Sequence, residues 1–282
     1  MKKYFAILAA LFMGVSLTAQ DLPVPSPSAE FEQRVGLTDI KVMYSRPQMK
    51  GREIFGDLVP YDRLWRTGAN KATRIEFSTD VQFNKMPVKA GTYSLITIPS
   101  EGKWTIILNR ETEMWGVGSY DEGKDVLRTM ISAKELPYSV ETFTIEIENI
   151  EANKAQLAIK WEQTAVNIPI SVEVEEIAEA NIAKAIEEEG DNWRVYRSAA
   201  SYYISKGSNY DEALKHINKS LELDPDQWYS YWVRAEALHG LGKNKEAKES
   251  GNKAIAMGKA SAEKDGREFT YGEGLMAEMK AW

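Results

Sequence analysis

The sequence of 282 residues is poor in two side chains that carry much protein chemistry. It contains no cysteine and two histidines, His216 and His239. The absence of cysteine excludes disulfides, thiolate zinc sites and cysteine nucleophiles, and the shortage of histidine leaves few bases that titrate near neutral pH. The folded chain must therefore be stabilised by its core and not by covalent cross-links.

Long apolar segments are also missing, apart from one at the N-terminus. Lys2 and Lys3 precede an apolar run over residues 4–17, and Thr18-Ala19-Gln20 follows it. These are the three parts of a secretory signal peptide, and the run is shorter than the ~20 residues that a transmembrane anchor needs. We predict a signal peptide over residues 1–20, cleaved after Ala19 or Gln20, and an exported protein, periplasmic or secreted, without a transmembrane anchor.

A proline-rich linker is predicted over residues 21–30. Pro23, Pro25 and Pro27 interrupt helical structure, which disfavours the alternative that the N-terminal apolar run is a helix of the fold. An excess of positive charge is absent too, because the net charge is −7 and removal of Lys2 and Lys3 makes it more negative. No nucleic-acid partner is therefore expected.

Residues 31–174 are predicted to form strands, because apolar and polar residues alternate. The clearest alternation places Ile75, Phe77, Val81 and Phe83 on one face of what we predict to be a single half-buried strand. Similar patterns cover 93–98, 104–108, 143–147, 157–161 and 166–174. Short strands separated by turn residues indicate an antiparallel sandwich or barrel, of which we favour the sandwich. Trp104 and Trp161 are expected in its core.

A long basic loop between Tyr44 and Arg74 interrupts the strand pattern. It carries seven basic and three acidic residues in an otherwise acidic protein. Arginine offers a planar fork of donors to carboxylate or phosphate, and aromatic faces can stack on a ring. We therefore predict a site for a small anionic or glycan ligand, with no cofactor and no metal. Its candidate residues are Arg46, Lys50, Arg52, Tyr61, Arg63, Trp65, Arg66, Asn70 and Trp115.

Two other interpretations of this loop stay open at the level of sequence. In the first, the loop is structural: its arginines pair with the loop acids Glu53, Asp57 and Asp62 and with free backbone carbonyls, and Phe55, Leu58 and Trp65 pack it onto the sheet. In the second, the protein is a cell-envelope glycan-active hydrolase that uses two carboxylates as acid and base. The candidates for that chemistry are Asp57, Asp62, Asp121 and Glu122. We favour a non-catalytic binding or scaffold protein.

The loop also contains motifs that resemble a known family. They are Tyr44-Ser45-Arg46-Pro47, Lys50-Gly51-Arg52, the Ile-Phe-Gly-Asp-Leu-Val-Pro-Tyr segment over 54–61 and the Trp-Arg-Thr-Gly-Ala-Asn segment over 65–70. This succession resembles the domain of unknown function 2911 family, and the resemblance extends over roughly residues 22–172. It implies export in bacteria of the Bacteroidetes group and implies no established activity.

Residues 175–282 change to the apolar spacing of helices and repeat themselves. Glu212-Ala213 recurs as Glu246-Ala247, and Ser220-Leu221 recurs as Ala254-Ile255, each pair 34 residues apart. This period resembles that of tetratricopeptide repeats. We predict repeat units at about 192–225 and 226–258, capped by helices at about 175–189 and 268–280. The predicted architecture is multidomain β plus α, an antiparallel β-sandwich followed by an α-helical tetratricopeptide-type repeat domain.

Helical repeats of this kind present a concave face to peptides or extended segments. We therefore expect a protein partner, either another envelope protein or a peptide. The alternative is that the helices only buttress the sandwich. No metal is expected at His216 or His239, because neither lies in a His-x-x-x-His spacing. The candidate contact residues are Tyr196, Tyr203, Tyr231 and Arg234.

Overall fold

The computed structural model describes residues 23–282, so the predicted signal peptide and the start of the predicted linker lie outside the described residues. The chain divides into two compact units between Glu173 and Val174. The first unit is built of strands and the second of helices. A β domain followed by an α domain was predicted, and this arrangement is confirmed.

The described part of the first unit forms one sheet of nine antiparallel strands. In the sheet their order is β1-β2-β3-β6-β7-β8-β9-β4-β5. The strands are β1 (Ser28–Val35), β2 (Thr38–Ser45), β3 (Thr73–Phe77), β4 (Val81–Phe83), β5 (Met86–Val88), β6 (Gly91–Pro99), β7 (Lys103–Asn109), β8 (Asp125–Glu148) and β9 (Lys154–Val172).

The sheet folds over on itself and encloses an aromatic core. Residues 125–132 of β8 pair with β7, whereas residues 133–148 pair with β9, so β8 belongs to both layers. Strands that are distant in the order meet face to face. Tyr44 of β2 packs edge-on against Phe143 of β8 with ring centroids 5.9 Å apart, and Phe77 of β3 meets Phe83 of β4 at 6.0 Å. The two layers of the predicted sandwich are therefore parts of one continuous sheet.

The predicted single strand through Ile75 and Phe83 is wrong. β3 ends at Phe77 and β4 begins at Val81, and the two strands pair with different neighbours. Asp80, in the turn between them, accepts a hydrogen bond from the backbone N–H of Ala90 at 2.9 Å. The alternation continues through the break because Phe77 and Val81 are an even number of residues apart, and each therefore points to the buried face of its own strand.

The second unit consists, as far as it is described, of six helices. Their bounds are α1 (Val174–Glu188), α2 (Trp193–Ser205), α3 (Tyr210–Leu223), α4 (Trp228–Gly240), α5 (Asn244–Lys264) and α6 (Gly272–Lys280). Helices α2 to α5 pack in sequence, each against the next. The starts of α2 and α4 are 35 residues apart, and those of α3 and α5 are 34 apart, which matches the spacing of the sequence repeat.

Small residues allow these helices to approach closely. Ala213 and Ala247, which correspond in the two repeats, are both fully buried. Gly251 replaces Ile217 of the first repeat, and a Cβ atom on Gly251 would lie 2.3 Å from the Sδ atom of Met279 in α6. The glycine therefore provides the space in which Met279 packs.

Candidate functional site

The basic loop between β2 and β3 is held on the sheet by an aromatic cluster. Trp65 exchanges two backbone hydrogen bonds with Thr97 of β6, at 2.7 and 2.9 Å. Its indole stacks on Trp161 with ring centroids 6.0 Å apart, and Phe55 packs edge-on against it at the same distance. Phe55 and Trp65 are buried as predicted, whereas Leu58 is 41% exposed and does not pin the loop.

Arg66 follows the anchored Trp65 and is half-buried. Its carbonyl accepts a hydrogen bond from the N–H of Thr73 at 3.1 Å, which fixes the backbone on this side too. Its Nε atom is buried and has no hydrogen-bond partner among the described residues. Burial lowers the pKa of the Arg66 guanidinium, because desolvation disfavours the charged form and no carboxylate offsets it.

The backbone around Arg66 is strained. Thr67 and Asn70 adopt positive φ angles of 54° and 58°, which residues with a Cβ rarely adopt. Between them, Gly68 has a φ of 147°, and a Cβ there would lie 3.0 Å from the carbonyl oxygen of Ser45. Thr67 is fully buried, and its hydroxyl lies 3.1 Å from that of Thr97. Strain of this kind persists only where the surroundings impose it, and it clusters at functional sites.

A cleft of about 480 Å³ opens beside Arg66. Its lining contains four cations, Lys50, Arg52, Arg63 and Arg66, and no aspartate or glutamate among the described residues. None of these four takes part in an ion pair within residues 23–282. The apolar part of the lining is Pro25, Pro47, Leu58, Val59, Pro60, Leu64, Ala69, Trp65 and Trp161. The cleft is therefore positively charged with an apolar wall.

The cations of the loop differ in what they already bind. Arg46 donates from Nε to the carbonyl of Phe143 at 3.1 Å and from a terminal nitrogen to Thr144 Oγ1 at 2.9 Å, and it does not line the cleft. Arg52 donates to the carbonyls of Met49 and Gln48 at 2.8 and 2.6 Å. Some of its N–H groups therefore stabilise the turn in which it lies and are not free for a ligand. Lys50 and Arg63 are exposed at the rim.

The structure therefore brings together five of the nine predicted site residues, Lys50, Arg52, Arg63, Trp65 and Arg66. Tyr61 lines a different cavity beside Glu101 and Glu162, and burial, followed by the charge of Glu101, raises the pKa of its phenol. Asn70 and Trp115 line a third cavity. The cleft also contains Pro25, Ser26 and Gln48, which were not predicted. Pro25 and Ser26 lie in the predicted linker and Gln48 in a turn, and nothing in their residue types indicated a binding site.

The structural alternative for the loop is wrong in its ion pairs for the described residues. Its pairing with carbonyls is confirmed for Arg46 and Arg52, which donate to the backbone of Phe143 and of Met49 and Gln48. Asp62 accepts a hydrogen bond from the hydroxyl of Ser100 at 2.5 Å, and neither Glu53 nor Asp57 forms an ion pair in that part of the chain. The positive charge of the cleft is thus not neutralised from within the loop.

The carboxylates considered for hydrolysis do not face the cleft. Asp57, Asp62, Asp121 and Glu122 are all absent from its lining. Asp121 caps a short 3₁₀ turn by accepting the N–H of Gly123 at 2.9 Å. The cavity beside Tyr61 contains Glu101, Glu135 and Glu162, a grouping that the sequence did not indicate. Of these, Glu162 lies within hydrogen-bond reach of the backbone N–H groups of Ile54 and Phe55, at 3.3 and 3.5 Å, and so anchors the loop.

The candidate contact residues of the helical unit are mostly engaged with neighbouring side chains. The ring of Tyr203 stacks on His216 at 5.8 Å, and Tyr196 lies 6.1 Å from the same imidazole. Tyr231 is buried, and its hydroxyl accepts a hydrogen bond from Lys253 at 2.8 Å. The buried Nε atom of Arg234 has no hydrogen-bond partner among the described residues.

Comparisons with known proteins bear on the first unit alone. No helix within residues 23–282 is both long and apolar enough to cross a lipid bilayer. No curated protein matches the chain. A family described as "Protein of unknown function (DUF2911)" matches residues 26–170, which is more than half of the chain. The matched range includes the loop, residues from both layers of the sheet and the lining of the cleft apart from Pro25. The chain belongs to the DUF2911 family.

Proposed function

We propose that this protein is an exported, non-catalytic binding protein that holds a small ligand by a carboxylate, phosphate or related oxyanion in the basic cleft. The observation that carries the proposal is the Arg66 guanidinium. It is half-buried, its Nε–H lacks a partner among residues 23–282, and three further cations line the same cleft with no carboxylate. An anion bound there would supply the missing acceptor.

The free-energy cost of this arrangement supports a ligand. Burying a charged donor without a partner costs on the order of 1–3 kcal/mol or more. The loop contains three acids that could have neutralised its arginines, yet Asp62 binds Ser100 instead. A binding site benefits from such a cost, because the ligand restores the lost hydrogen bonds and the arginine is already oriented.

Export is part of the proposal. The basic residues, apolar run and small residues over positions 1–20 follow the order of a signal peptide. The absence of cysteine is compatible with an oxidising compartment, where a free thiol would be reactive. A periplasmic or secreted location, in a bacterium of the Bacteroidetes group, would expose the cleft to ligands of the cell envelope.

The helical unit supplies the second half of the proposed function. We assign its four central helices to two tetratricopeptide-type units, on the basis of helix starts 34 and 35 residues apart and of the matching buried alanines. Such pairs commonly present one face to a peptide or protein. A protein partner from the envelope is therefore proposed, with Arg234, whose buried Nε atom has no hydrogen-bond partner among the described residues, as a candidate contact.

Hydrolysis of the ligand in the cleft is not proposed, because the described residues that line the cleft include no pair of carboxylates to act as acid and base. A glycan or metabolite would be held and released unchanged. Incubation of the protein with its bound ligand should therefore leave the ligand's mass unchanged.

Isothermal titration calorimetry tests the proposal on the full chain. The probes are inorganic phosphate, citrate, glucuronate and glucose 6-phosphate, titrated into the natural protein and the Arg66→Met variant, which keeps an apolar side chain of similar length. The exposed Arg110→Met, outside the cleft, is the matched control. Loss of a charge-assisted hydrogen bond should weaken binding at least ~10-fold in Arg66→Met and leave Arg110→Met unchanged. Equal affinities in all three proteins, or no binding of any probe, would contradict the proposal.

A further inference from the structure

A second groove, of about 620 Å³, lies next to the cleft. Ser26 lines both cavities, with Pro25 on the side of the cleft and Val24 on the side of the groove. The side-chain amide of Asn70 donates to the carbonyl of Ser26 at 3.1 Å, which holds this segment in place. The two cavities therefore meet at one fixed point of the chain.

The groove is lined by an indole that is turned toward solvent. Trp115 is 71% exposed, whereas the preceding residue, Met114, is 1% exposed. The backbone around Trp115 is fixed: its neighbour Gly116 donates to the carbonyl of Asn70 at 3.3 Å, and Ala72 donates to the carbonyl of Met114 at 2.9 Å. Val24, which is 57% exposed, lines the same groove. Exposure of more than one large apolar side chain in one groove has a free-energy cost and is typical of an interaction site.

The two cavities differ in charge. In the groove, Lys71 and Arg74 both pair with Glu113, at 2.9 and 3.1 Å, and Glu30 pairs with Lys41. Each charged side chain of the groove is therefore already paired with a neighbouring charge of opposite sign, unlike those of the cleft. The remaining polar groups of the groove are hydroxyls and an amide, from Ser26, Ser28, Ser45 and Asn70. Such groups hydrogen-bond to neutral hydroxyls.

We infer that the ligand is an acidic oligosaccharide, with its charged sugar in the cleft at Arg66 and an adjoining neutral sugar stacked on Trp115 in the groove. This inference rests on the proposed function and adds to it a ligand class and a second binding surface. A sugar ring has a flat apolar face of C–H groups that matches an indole, and a rim of hydroxyls that matches the serines and Asn70. A simple metabolite anion would use the cleft and leave Trp115 exposed.

The test compares each acidic monosaccharide with oligosaccharides that contain it. The probes are mono- to tetrasaccharides bearing uronate, sulfate or phosphate, measured by titration against the natural protein, Arg66→Met and Trp115→Ala. We expect Arg66→Met to weaken binding of monosaccharides and oligosaccharides at least tenfold. Trp115→Ala should weaken binding of oligosaccharides at least fivefold and leave the monosaccharides unchanged. Tyr138→Ala removes another exposed aromatic residue, 54% exposed on β8, and should change neither.

Each possible result has a distinct meaning. If Trp115→Ala binds oligosaccharides as the natural protein does, while Arg66→Met does not, the inference is overturned and the proposed function stands. The same holds if phosphate or citrate binds and no acidic sugar does. If no anion of any kind binds, both are overturned. Each variant must give a circular dichroism spectrum that matches that of the natural protein. We expect Trp115→Ala to do so, because its indole is exposed.

Discussion

The indole of Trp65 lies on that of Trp161, with ring centroids 6.0 Å apart and planes 18° from parallel. Trp65 belongs to the loop and Trp161 to β9, so this contact joins two segments nearly a hundred residues apart in sequence. The position of Arg66 is set by Thr97, which forms hydrogen bonds with both of its neighbours, Trp65 and Thr67. The aromatic core and the cleft are therefore built from adjacent residues of the same loop.

Replacement of Trp65 should damage stability and the cleft together. We expect Trp65→Ala to lower the free energy of unfolding by about 3–5 kcal/mol, because it leaves a cavity among Phe55, Trp104 and Trp161. Urea denaturation followed by circular dichroism measures this. Trp115→Ala is the control and should change stability by less than about 0.5 kcal/mol, since its ring is 71% exposed. A small effect of Trp65→Ala would mean that the loop is not pinned by this ring.

Replacement of Arg66 should have the opposite effect on the unliganded protein. In Arg66→Met the charge is removed and no hydrogen-bonded partner is left behind, so we expect the free energy of unfolding to stay the same or rise by up to about 1 kcal/mol. Arg46→Met serves as the contrast. It breaks hydrogen bonds to Phe143 and Thr144 and should destabilise by about 1–2 kcal/mol. A marked loss of stability in Arg66→Met would show that the residue is structural.

The helical unit should be less stable at pH 8 than at pH 5 because of Glu236. Burial, and then the charge of Glu278, raises the pKa of Glu236 to about 7, although the indole of Trp232 donates a hydrogen bond to it. A carboxyl whose pKa is higher in the folded state than in the unfolded state gives stability that is complete below pH ~4.5 and is lost as the pH rises through about 7.

Thermal unfolding between pH 5 and pH 8 checks this expectation. The natural protein should lose about 1–2 kcal/mol of stability over this interval relative to Glu236→Gln, whose side chain carries no charge at any pH. Glu246→Gln, on the exposed face of α5, should follow the natural protein. Parallel pH profiles for all three proteins would show that Glu236 ionises normally.

A methyl group at Gly251 should loosen the last helix. In Gly251→Ala the new Cβ would displace Met279 of α6, and the clash should outweigh the ~1 kcal/mol that alanine gains in a helix interior. We expect faster proteolysis after residue 264, measured by mass spectrometry, with little change at α2 and α3. Met279→Ala in the same chain should remove the clash, so that the double variant is less destabilised than the sum of the single variants.

The sequence was sufficient to predict the fold in outline, because the alternation of the strands and the apolar spacing of the helices are both local patterns. Trp104 and Trp161 were placed in the core from alternation alone, and both are 2% exposed. The break between Phe77 and Val81 could not be predicted, since the spacing preserves the alternation on both sides. The repeat spacing indicated where the helices start. At α2 the start is fixed by the N-cap residue Asn192, whose side chain accepts the N–H of Arg194.

The site was predictable as a segment but not as a set of residues. Arg46 and Arg66 are the same residue type in the same basic loop. Arg46 donates a hydrogen bond to the carbonyl of Phe143, 97 residues away, whereas the Nε–H of Arg66 has no acceptor in the described part of the chain. That difference depends on strand pairing across the whole unit, which no local pattern encodes. For the same reason, the role of Glu162 in holding the loop could not be read from its place in a strand.

Strand β8 runs through both layers of the sheet, pairing with β7 in one and with β9 in the other. Neither layer can separate from the other without disturbing β8, which is hydrogen-bonded in both. We therefore expect that the two layers of the β unit do not unfold separately. Its protected amides should exchange with solvent deuterium in a single cooperative event rather than layer by layer. For the ligand that we propose, entry to the cleft would then require movement of loop and rim side chains over a sheet that stays closed.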